Sequence, residues 1–332
     1  MTTFHVTGIG NANIDIVDQI DQHFLGRFGM KKSHCVYIDR PRLAEMKAAL
    51  PHHKLISGGA VANTIHCLRA LGLDVSFQGI VVDDAEGRLF KKDLSENNIG
   101  DFVHVVDDHE IGTTQIFCLI TEDGDRSFAS YDGIARSLEF KHLNINAIQD
   151  SSITYFDGYT LYSPHAHDAF EKASHIAHDH GNLIAFNPAD LSIIQTFPDP
   201  IKSLCGMSDI LLCNLVEATA IYGFKTLDEC AAHLPHIKYA GAVTNGSHGA
   251  MIFRDGDHIL IPTTLNNCKP LDTNGAGDHF AAGILYGLLN NLSLSHMANL
   301  AHLCSVDCIG HTGARPLTSL SHLIDESRKI AA

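Results

Sequence analysis

The feature that most constrains the fold is a regular alternation of short apolar strands and amphipathic helices in the second half of the chain. Strand patterns occupy residues 153–156, 183–186, 210–213 and 240–244, and helical patterns lie between or after them at 165–180, 198–206, 217–222 and 226–234. Strands that alternate with helices indicate a parallel sheet with helices on both faces, because each helix connects one parallel strand to the next and packs on a face of the sheet. We therefore predict an α/β fold with three layers, α/β/α, around a mostly parallel central sheet. Elsewhere the patterns predict strands at 4–9 and 75–82 and helices at 61–71, 83–98, 275–289, 295–309 and 317–331.

Two segments nearer the N-terminus, residues 16–42 and 110–134, interrupt this alternation and are richer in β patterns. Within the second segment, residues 113–121 and 126–131 flank Glu122-Asp-Gly-Asp125, and an Asp-Gly pair is typical of a tight hairpin turn. The first segment has mixed character and is predicted to be irregular or small-sheet structure. We expect the two segments to fold together as a small accessory sheet.

Composition excludes some partners. The net charge of -15, from 23 Lys and Arg against 38 Asp and Glu, argues against a nucleic-acid-binding surface, which needs clustered positive charge. The first residues lack a basic segment followed by a long apolar one, and no uncharged apolar run reaches the ~18 residues of a membrane span. We expect a cytoplasmic protein with neither nucleic acid nor membrane as a partner.

The segment with the most specific chemistry is Asp272-Thr-Asn-Gly-Ala-Gly-Asp278, which directly precedes a helical pattern. The small residues Gly275, Ala276 and Gly277 leave backbone N–H groups free at the start of that helix, where the helix dipole also favours negative charge. An anion is expected to bind there. Asp278 would be kept ionised by this positive environment and could remove a proton from an attacking hydroxyl. An ordinary helix start with Asp278 as a first-turn acid explains the segment equally well by local chemistry.

Two common nucleotide motifs are absent. No segment has the Gly-x-x-x-x-Gly-Lys-Ser/Thr pattern of a Walker loop, and Gly8-Ile-Gly10 is followed by Asn13 where a dinucleotide fingerprint requires glycine. A Rossmann dehydrogenase would account for the α/β alternation. This chain, however, lacks the third glycine of the Rossmann fingerprint and the acidic residue about 20 residues further on.

Four motifs in order resemble those of the ribokinase-like (PfkB) sugar and nucleoside kinases. Their C-terminal signature is similar to the segment 272–278, and their N-terminal Gly-Gly-x-x-x-Asn signature is similar to Gly58-Gly59-Ala-Val-Ala-Asn63. Asn214-Leu-Val-Glu217 resembles the Asn-x-x-Glu motif, and Thr244-Asn-Gly246-Ser-His-Gly249 resembles the nucleotide loop. The likeness extends from Gly8 to Arg315, and it implies a single ribokinase-like domain over residues 1–332.

The resemblance implies an ATP-dependent phosphotransferase with an alcohol acceptor. Asp278 would be the catalytic base, and the N–H groups of Gly275, Ala276 and Gly277 would form the anion hole for the transferring phosphoryl group. Glu217 would hold Mg²⁺ through water, although by its local sequence alone Glu217 is better explained as a helix-start carboxylate. The resemblance places ATP against Asn187, Asn214, Thr244, Gly246 and Gly249.

The resemblance also implies an acceptor site and a lid. The acceptor would contact Asn11, Asp15, Gly58, Gly59, Asn63, Tyr159 and Asp278. A carboxylate can accept hydrogen bonds from two neighbouring hydroxyls, and glycines permit close approach of the backbone. The β-rich segments, about 16–42 and 110–134, would form a lid that closes over the substrate and excludes water. Family members often hold a monovalent cation such as K⁺ near the counterparts of residues 308–315 and Asp272, so we expect one there.

Adenosine is the favoured acceptor, with its 5′-hydroxyl as the site of transfer. Gly10-Asn-x-x-x-Asp15 resembles the opening of the nucleoside kinases, and the stretches Asp157-Gly-Tyr159 and Gly313-Ala-Arg-Pro316 resemble those of bacterial adenosine kinases. An aromatic side chain such as Tyr159 could stack on a purine. The Asn13-Ile-Asp15 spacing equally fits ribokinase, so ribose, fructose or another nucleoside is the alternative. A non-catalytic nucleoside- or sugar-binding protein would be expected to have a damaged anion hole, which this sequence does not show. The likeness leaves a monomer and a homodimer equally open.

Overall fold

The computed structural model describes residues 4–262 and 270–331. The strands are β1 (Phe4–Ile9), β2 (Asn13–Ile20), β3 (Cys35–Tyr37), β4 (Lys54–Ser57), β5 (Val75–Gln78), β6 (Ile80–Val82), β7 (Gly100–Asp101), β8 (His104–Val106), β9 (Thr114–Thr121), β10 (Arg126–Tyr131), β11 (Ser151–Asp157), β12 (Leu183–Asn187), β13 (Ile210–Asn214), β14 (Ala240–Thr244), β15 (Ala250–Arg254) and β16 (Asp257–Ile261). The helices are α1 (Gln22–Arg27), α2 (Arg40–Ala49), α3 (Ala60–Ala70), α4 (Ala85–Glu96), α5 (Ile145–Gln149), α6 (Ala166–Asp179), α7 (Leu191–Thr196), α8 (Pro198–Met207), α9 (Leu215–Tyr222), α10 (Leu227–His233), α11 (Ala276–Leu289), α12 (Leu294–Ile309) and α13 (Ser321–Ala331).

The central sheet has nine strands in the order β16-β15-β14-β13-β12-β11-β1-β5-β7. Every pair from β14 to β7 is parallel, and β15 and β16 close one edge in antiparallel pairing. One buried apolar cluster packs α3, α11 and α12 against one face, and a second packs α6, α8 and α10 against the other. The predicted three-layer α/β/α fold is confirmed.

A second sheet has the order β3-β10-β9-β2-β4, and helices α1 and α2 pack against it through their own apolar cluster. The predicted hairpin is present as β9 and β10, with Phe128 opposite Cys118. The segment 16–42 is more regular than predicted, since it holds most of β2, all of α1 and β3, and the start of α2. The side chain of Asp39 accepts from the N–H of Arg42 at 2.9 Å and thereby caps α2. Strand β4 belongs to this sheet although it lies outside both predicted segments.

The single strand predicted over 75–82 is wrong. Gly79 divides it into β5, which pairs with β1 in the central sheet, and β6, which pairs with β8. A Cβ atom at Gly79 would lie 2.7 Å from the carbonyl oxygen of Gly10, so the chain crosses another backbone too closely there for any larger residue. The predicted helices of this region are confirmed as α3 and α4. None of the helices described is both long enough and apolar enough to cross a membrane.

Candidate active site

The predicted site residues gather at one edge of the central sheet. Parallel strands place their carboxyl ends on the same edge, where ligands of open α/β sheets bind. The residues that end or directly follow these strands are Asn11 after β1, Asp157 and Tyr159 at β11, Asn187 at β12, Asn214 at β13, and Thr244 and Gly246 at β14. The start of α11, which packs beside α3 on the same face of the sheet, lies at the same edge.

Helix α11 begins without a side-chain cap. Its N-cap is Gly275, in the left-handed conformation with φ of 82° and ψ of -4°. Among the residues described, no acceptor is bonded to the N–H groups of Gly277 and Asp278. Two free N–H groups and the helix dipole make this turn a site for an anion.

Helix α3 holds Asp278 at this turn. The Asn63 Nδ2 atom donates to Asp278 Oδ2 at 2.8 Å, and the Thr64 hydroxyl donates to the Asp278 carbonyl oxygen at 3.1 Å. The Asn63 Oδ1 atom is buried and lacks a hydrogen-bond partner in the described structure. A proton acceptor, a free amide oxygen and an anion-binding helix start therefore lie together, as the transfer of a phosphoryl group to a hydroxyl requires.

The Gly58-Gly59 pair packs against the turn between β1 and β2. A Cβ atom at Gly58 would lie 2.4 Å from Asp15 Oδ1, and one at Gly59, where φ is 101°, would lie 2.3 Å from the Asn11 carbonyl oxygen. Asn13 Nδ2 donates to Asp15 Oδ1 at 2.7 Å and fixes this carboxylate. The two glycines thus bring the start of α3 against Asp15, beside Asp278.

Arg315 enters the same pocket from the loop after α12. Its Nη2 atom donates to the carbonyl oxygen of Gly58 at 3.0 Å, and its Nε and Nη1 atoms have no hydrogen-bond partner within the described residues. Its positive charge favours the ionised forms of Asp15 and Asp278 and so opposes the rise in pKa that burial causes in each. The sequence assigned no role to Arg315, because only the tertiary fold brings the end of α12 to the start of α3.

Three carboxyl groups in this pocket hold their protons more tightly than usual. The pKa of Asp278 is raised to about 7, chiefly by burial and also by the nearby carboxylates of Asp157 and Asp15, with Asn63 and Arg315 acting in the opposite direction. Burial likewise raises the pKa of Asp15 and that of Asp157 to about 7. The expectation that the helix start keeps Asp278 ionised is met only in part near neutral pH, because burial and neighbouring acids oppose the favourable surroundings.

Asp157 and Asp190 are pocket residues for which no role of their own was predicted. The Thr160 hydroxyl donates to Asp157 Oδ1 at 3.3 Å. Backbone N–H groups of Thr160, Tyr159 and Val61 lie near this buried carboxyl and favour its ionised form, against the burial that raises its pKa. Tyr159, which was predicted to contact the acceptor, is half-buried, and its hydroxyl lies beside the Asp190 carboxylate. An acidic residue directly after a buried strand was the available signal for Asp157.

Asn214 and Glu217 form a reciprocal cap at the start of α9. The Asn214 Oδ1 atom accepts from the N–H of Glu217 at 3.0 Å, and Glu217 Oε2 accepts from the N–H of Asn214 at 2.9 Å. Glu217 is buried, which raises its pKa to about 8, and the negative charge of Asp190 acts in the same direction. Glu217 therefore acts as a helix-start carboxylate, as its local sequence indicates. Each of its carboxylate oxygens also retains a second lone pair that could bind a water molecule.

The remaining predicted ATP-binding residues lie on the neighbouring strand ends. Asn187 Oδ1 accepts from the N–H of Ala189 at 2.9 Å, and Ala189 has a left-handed φ of 81°. The turn from Thr244 to Gly249 connects β14 to β15 and includes Gly246. These residues border the edge of the sheet that Glu217 also reaches.

Asp272 is buried in the loop that precedes α11. Its Oδ1 atom accepts from the N–H of Asn274 at 2.7 Å, and its Oδ2 atom accepts from the N–H of Gly313 at 2.7 Å. The guanidinium of Arg126, from β10 of the second sheet, forms an ion pair with it. The sequence did not predict a partner for Asp272 from that sheet.

Known proteins resemble this chain in sequence and in fold. The family model described as pfkB family carbohydrate kinase matches residues 32–320. The adenosine kinase from Sinorhizobium meliloti is similar in structure, with a TM-score of 0.88 and 30% identity over 99% of this chain and 100% of that chain. A probable sugar kinase from Rhizobium etli CFN 42 has a TM-score of 0.87 and 28% identity, over 99% of each chain. A probable fructokinase-2 of Arabidopsis thaliana is 26% identical over 78% of this chain and 82% of that protein.

Proposed function

Because the chain belongs to the pfkB family of carbohydrate kinases and is a phosphotransferase with an alcohol group as acceptor, we propose that it transfers the γ-phosphoryl group of ATP to the 5′-hydroxyl of adenosine. The observation that carries the reaction is the start of α11, where Asp278 lies beside two backbone N–H groups without acceptors. The acceptor lies over Asp278, in the pocket that Asp15, Asn63 and Arg315 line.

In this mechanism Asp278 takes the proton of the acceptor hydroxyl. The hydroxyl oxygen then bonds to the γ-phosphorus while the bond from that phosphorus to the bridging oxygen of ADP breaks. The N–H groups of Gly277 and Asp278 and the dipole of α11 stabilise the charge on the transferring group. Asn63 holds the carboxylate toward the acceptor, and a pKa of about 7 suits a base that works near neutral pH.

Mg²⁺ is the usual metal of this reaction, and it neutralises charge on the ATP phosphates when bound. The surroundings of Glu217 fit such a role, because it is a buried carboxyl group at the strand edge with lone pairs left over from its cap. Glu217 would hold the ion through water. Asn187, Asn214, Thr244, Gly246 and Gly249 would line the nucleotide site along the same edge.

The second sheet is proposed as the lid, from about 16–42 and 110–134 with β4 in addition. Its strand β2 carries Asp15, and its strand β10 carries Arg126, so it contributes to the pocket from above the strand ends. A lid that carries substrate ligands excludes water when it is seated.

A cluster of aromatic side chains that includes the turn of Tyr159 supports a nucleoside as the acceptor. The ring of Tyr37, on β3, lies 5.0 Å from that of Tyr162, which lies 5.3 Å from Phe197. Tyr159 lies near Asp157 and Asp278 and shares the turn Gly158–Tyr162 with Tyr162, so we propose these rings as the surface on which a purine stacks. The adenosine kinase from S. meliloti, similar over almost the whole of both chains, is the further support.

A sugar such as fructose or ribose is the second candidate. It is supported by the probable fructokinase-2 of A. thaliana and the probable sugar kinase of R. etli among the similar proteins, and by a pocket rich in carboxylates that suit vicinal hydroxyls.

The test is ADP release with ATP and Mg²⁺ across adenosine, guanosine, inosine, cytidine, ribose and fructose. Adenosine is expected to give the highest kcat/KM, and the product should be AMP by chromatography. Tyr162→Ala is expected to raise the KM for adenosine about tenfold while changing that for fructose little, because only adenosine has a ring to stack. If only sugars support turnover, adenosine is the wrong acceptor and the sugar alternative holds. If no acceptor supports turnover, the kinase mechanism itself is wrong.

A further inference from the structure

The pairing of Arg126 with Asp272 carries an inference about the monovalent cation that the family resemblance led us to expect. Both side chains are buried, with exposed fractions of 11% for Arg126 and 3% for Asp272. Arg126 belongs to the second sheet, whereas Asp272 lies three residues before the N-cap of α11. The ion pair therefore joins the two sheets at the loop that opens the anion-binding turn.

The residues around Asp272 do not fit a bound monovalent cation. Such ions are held by several backbone carbonyl and acidic oxygens that converge on one point, with no other cation beside them. Here the Asp272 oxygens accept from the N–H groups of Asn274 and Gly313, and the Arg126 guanidinium already forms an ion pair with this carboxylate. The carbonyl oxygens of Ile309 and Asn274 accept from the N–H of Leu271 at 2.8 Å and from Cys308 Sγ at 3.3 Å. A cation at this position would also lie against the guanidinium, and like charges repel strongly in a buried site.

We propose that Arg126 takes the place of a monovalent cation in this protein, so that catalysis needs no added K⁺. Its guanidinium neutralises Asp272 and positions the loop 272–275, from which the free N–H groups of α11 follow. Arg126 is a positioning residue on this view, because it acts on the transferring group through Asp272. The expected effect of Arg126 on the reaction rate rests on the proposed phosphoryl transfer. Its expected effect on protein stability does not.

Loss of the guanidinium would leave a buried carboxylate without a counter-charge, which is strongly unfavourable. The two N–H groups that remain bonded to Asp272 hold it near its place, so a small cation from solution can then neutralise it. K⁺ is therefore expected to bind to an Arg126 variant and not to the wild type.

The first experiment measures stability without ATP or acceptor. Unfolding temperatures are compared in KCl and in tetramethylammonium chloride at equal ionic strength, for the wild type, Arg126→Gln and Arg126→Lys. The wild type and Arg126→Lys are expected to give the same value in both salts. Arg126→Gln is expected to unfold at a lower temperature in tetramethylammonium chloride and to recover with a saturable dependence on KCl concentration.

The matched control is Lys32→Ala. Lys32 forms ion pairs with Asp123 and Asp125 at the turn of the same hairpin, but none of the three contacts Asp272. This variant is expected to show no difference between the two salts, which separates the charge at Asp272 from general loosening of the hairpin.

The second experiment measures turnover in the same two salts. Arg126→Gln is expected to lose about 10²-fold in kcat in tetramethylammonium chloride with little change in the KM of the acceptor, since small misplacement of the anion-binding turn has effects of that size. KCl should restore a substantial part of this loss. The wild-type rate should be the same in both salts.

Two results would overturn the proposal. One is a wild-type protein that KCl stabilises or activates relative to tetramethylammonium chloride, because a cation would then bind beside Arg126. The other is an Arg126→Gln variant whose stability does not respond to KCl. If Arg126→Gln fails to fold, the unfolding temperatures of the wild type and Arg126→Lys in the two salts still show whether K⁺ binds beside the cationic side chain. If no acceptor is phosphorylated, the proposed function fails while the stability experiment still tests the ion pair.

Discussion

Helices α9 and α11 both begin at the carboxyl edge of the central sheet, and both carry an acidic residue at the third helical position. In α9 this residue is Glu217, and in α11 it is Asp278. The N-cap differs, since Asn214 caps α9 with its side chain whereas Gly275 has no side chain with which to cap α11. One residue type at the N-cap therefore decides whether the first-turn N–H groups are satisfied within the protein or left for an anion.

The partners of the two acids differ in the same way. Glu217 bonds back to the N–H of its own N-cap at 2.9 Å, so it completes a local cap. Asp278 is bonded instead by Asn63, from a helix that lies 215 residues away in sequence. A local cap stabilises a helix, while an acid held by another helix is fixed in space and stays available to a substrate. An acidic residue at the third helical position thus serves two different purposes.

Removing the charge at Asp278 is expected to have the largest effect on activity. Asp278→Asn keeps the size of the side chain and an acceptor for Asn63, but it cannot take a proton. We expect kcat to fall by about 10²–10⁴-fold. The dissociation constant of the acceptor, measured by calorimetry, should change by much less.

The matched variant for this comparison is Glu217→Gln, whose loss of kcat at saturating Mg²⁺ should be far smaller. Equal losses of kcat from the two substitutions would contradict the assignment of different roles to the two helix starts.

The difference between these helix starts was only partly predictable from sequence. The alternation of strands and helices and the glycines before α11 are local patterns, and they predicted the fold and the place of Asp278. Its pKa depends on Asp157 and Arg315, which tertiary contacts bring to it. The partner of Asp272 comes from a hairpin about 150 residues earlier, and no local pattern pairs two such residues.

A methyl group at Gly275 is expected to have the second largest effect. A Cβ atom there would lie 2.4 Å from the Cβ of Ala314, and φ is 82°, so Gly275→Ala is both strained and crowded. We expect about a 10²-fold loss of kcat from displacement of the anion-binding turn, with a lower unfolding temperature.

Gly277→Ala is the control for this substitution, because a Cβ atom at Gly277 meets nothing within 4 Å. Its unfolding temperature should equal that of the wild type or exceed it slightly, since alanine favours a helix. An unfolding temperature and kcat for Gly275→Ala as high as those of the wild type would mean that the start of α11 is not fixed as described.

The raised pKa of Asp278 predicts opposite effects of pH on activity and on stability. The base acts when ionised, so kcat/KM should rise about tenfold per pH unit up to about pH 7 and then level off. The folded protein holds this proton at pH values where the unfolded chain, with the ordinary pKa of 3.8, has released it. Stability should therefore fall as pH rises from about 4 to about 7, and then level off.

Asp15 and Asp157 contribute to stability in the same direction, because their pKa values are also raised to about 7. Unfolding by urea across this pH range measures their sum, and Asp278→Asn should make the decline less steep. A stability that rises from pH 4 to pH 7 in the wild type would show that other groups, with lowered pKa values, dominate.

The smallest effects are expected at α9, where cap and metal roles can be separated. Glu217→Gln can still bond back to the N–H of Asn214, so its unfolding temperature should change little, whereas the Mg²⁺ concentration for half-maximal rate should rise about tenfold. Asn214→Ala removes the cap and should lower the free energy of unfolding by about 1 kcal/mol.

Burial raises the pKa of Glu217 to about 8, so Mg²⁺ binding must displace a proton near neutral pH and should tighten as pH rises toward 8. Because glutamine carries no such proton, the variant should lose this pH dependence. If it keeps the full dependence, Glu217 does not hold the metal and serves α9 only as a cap.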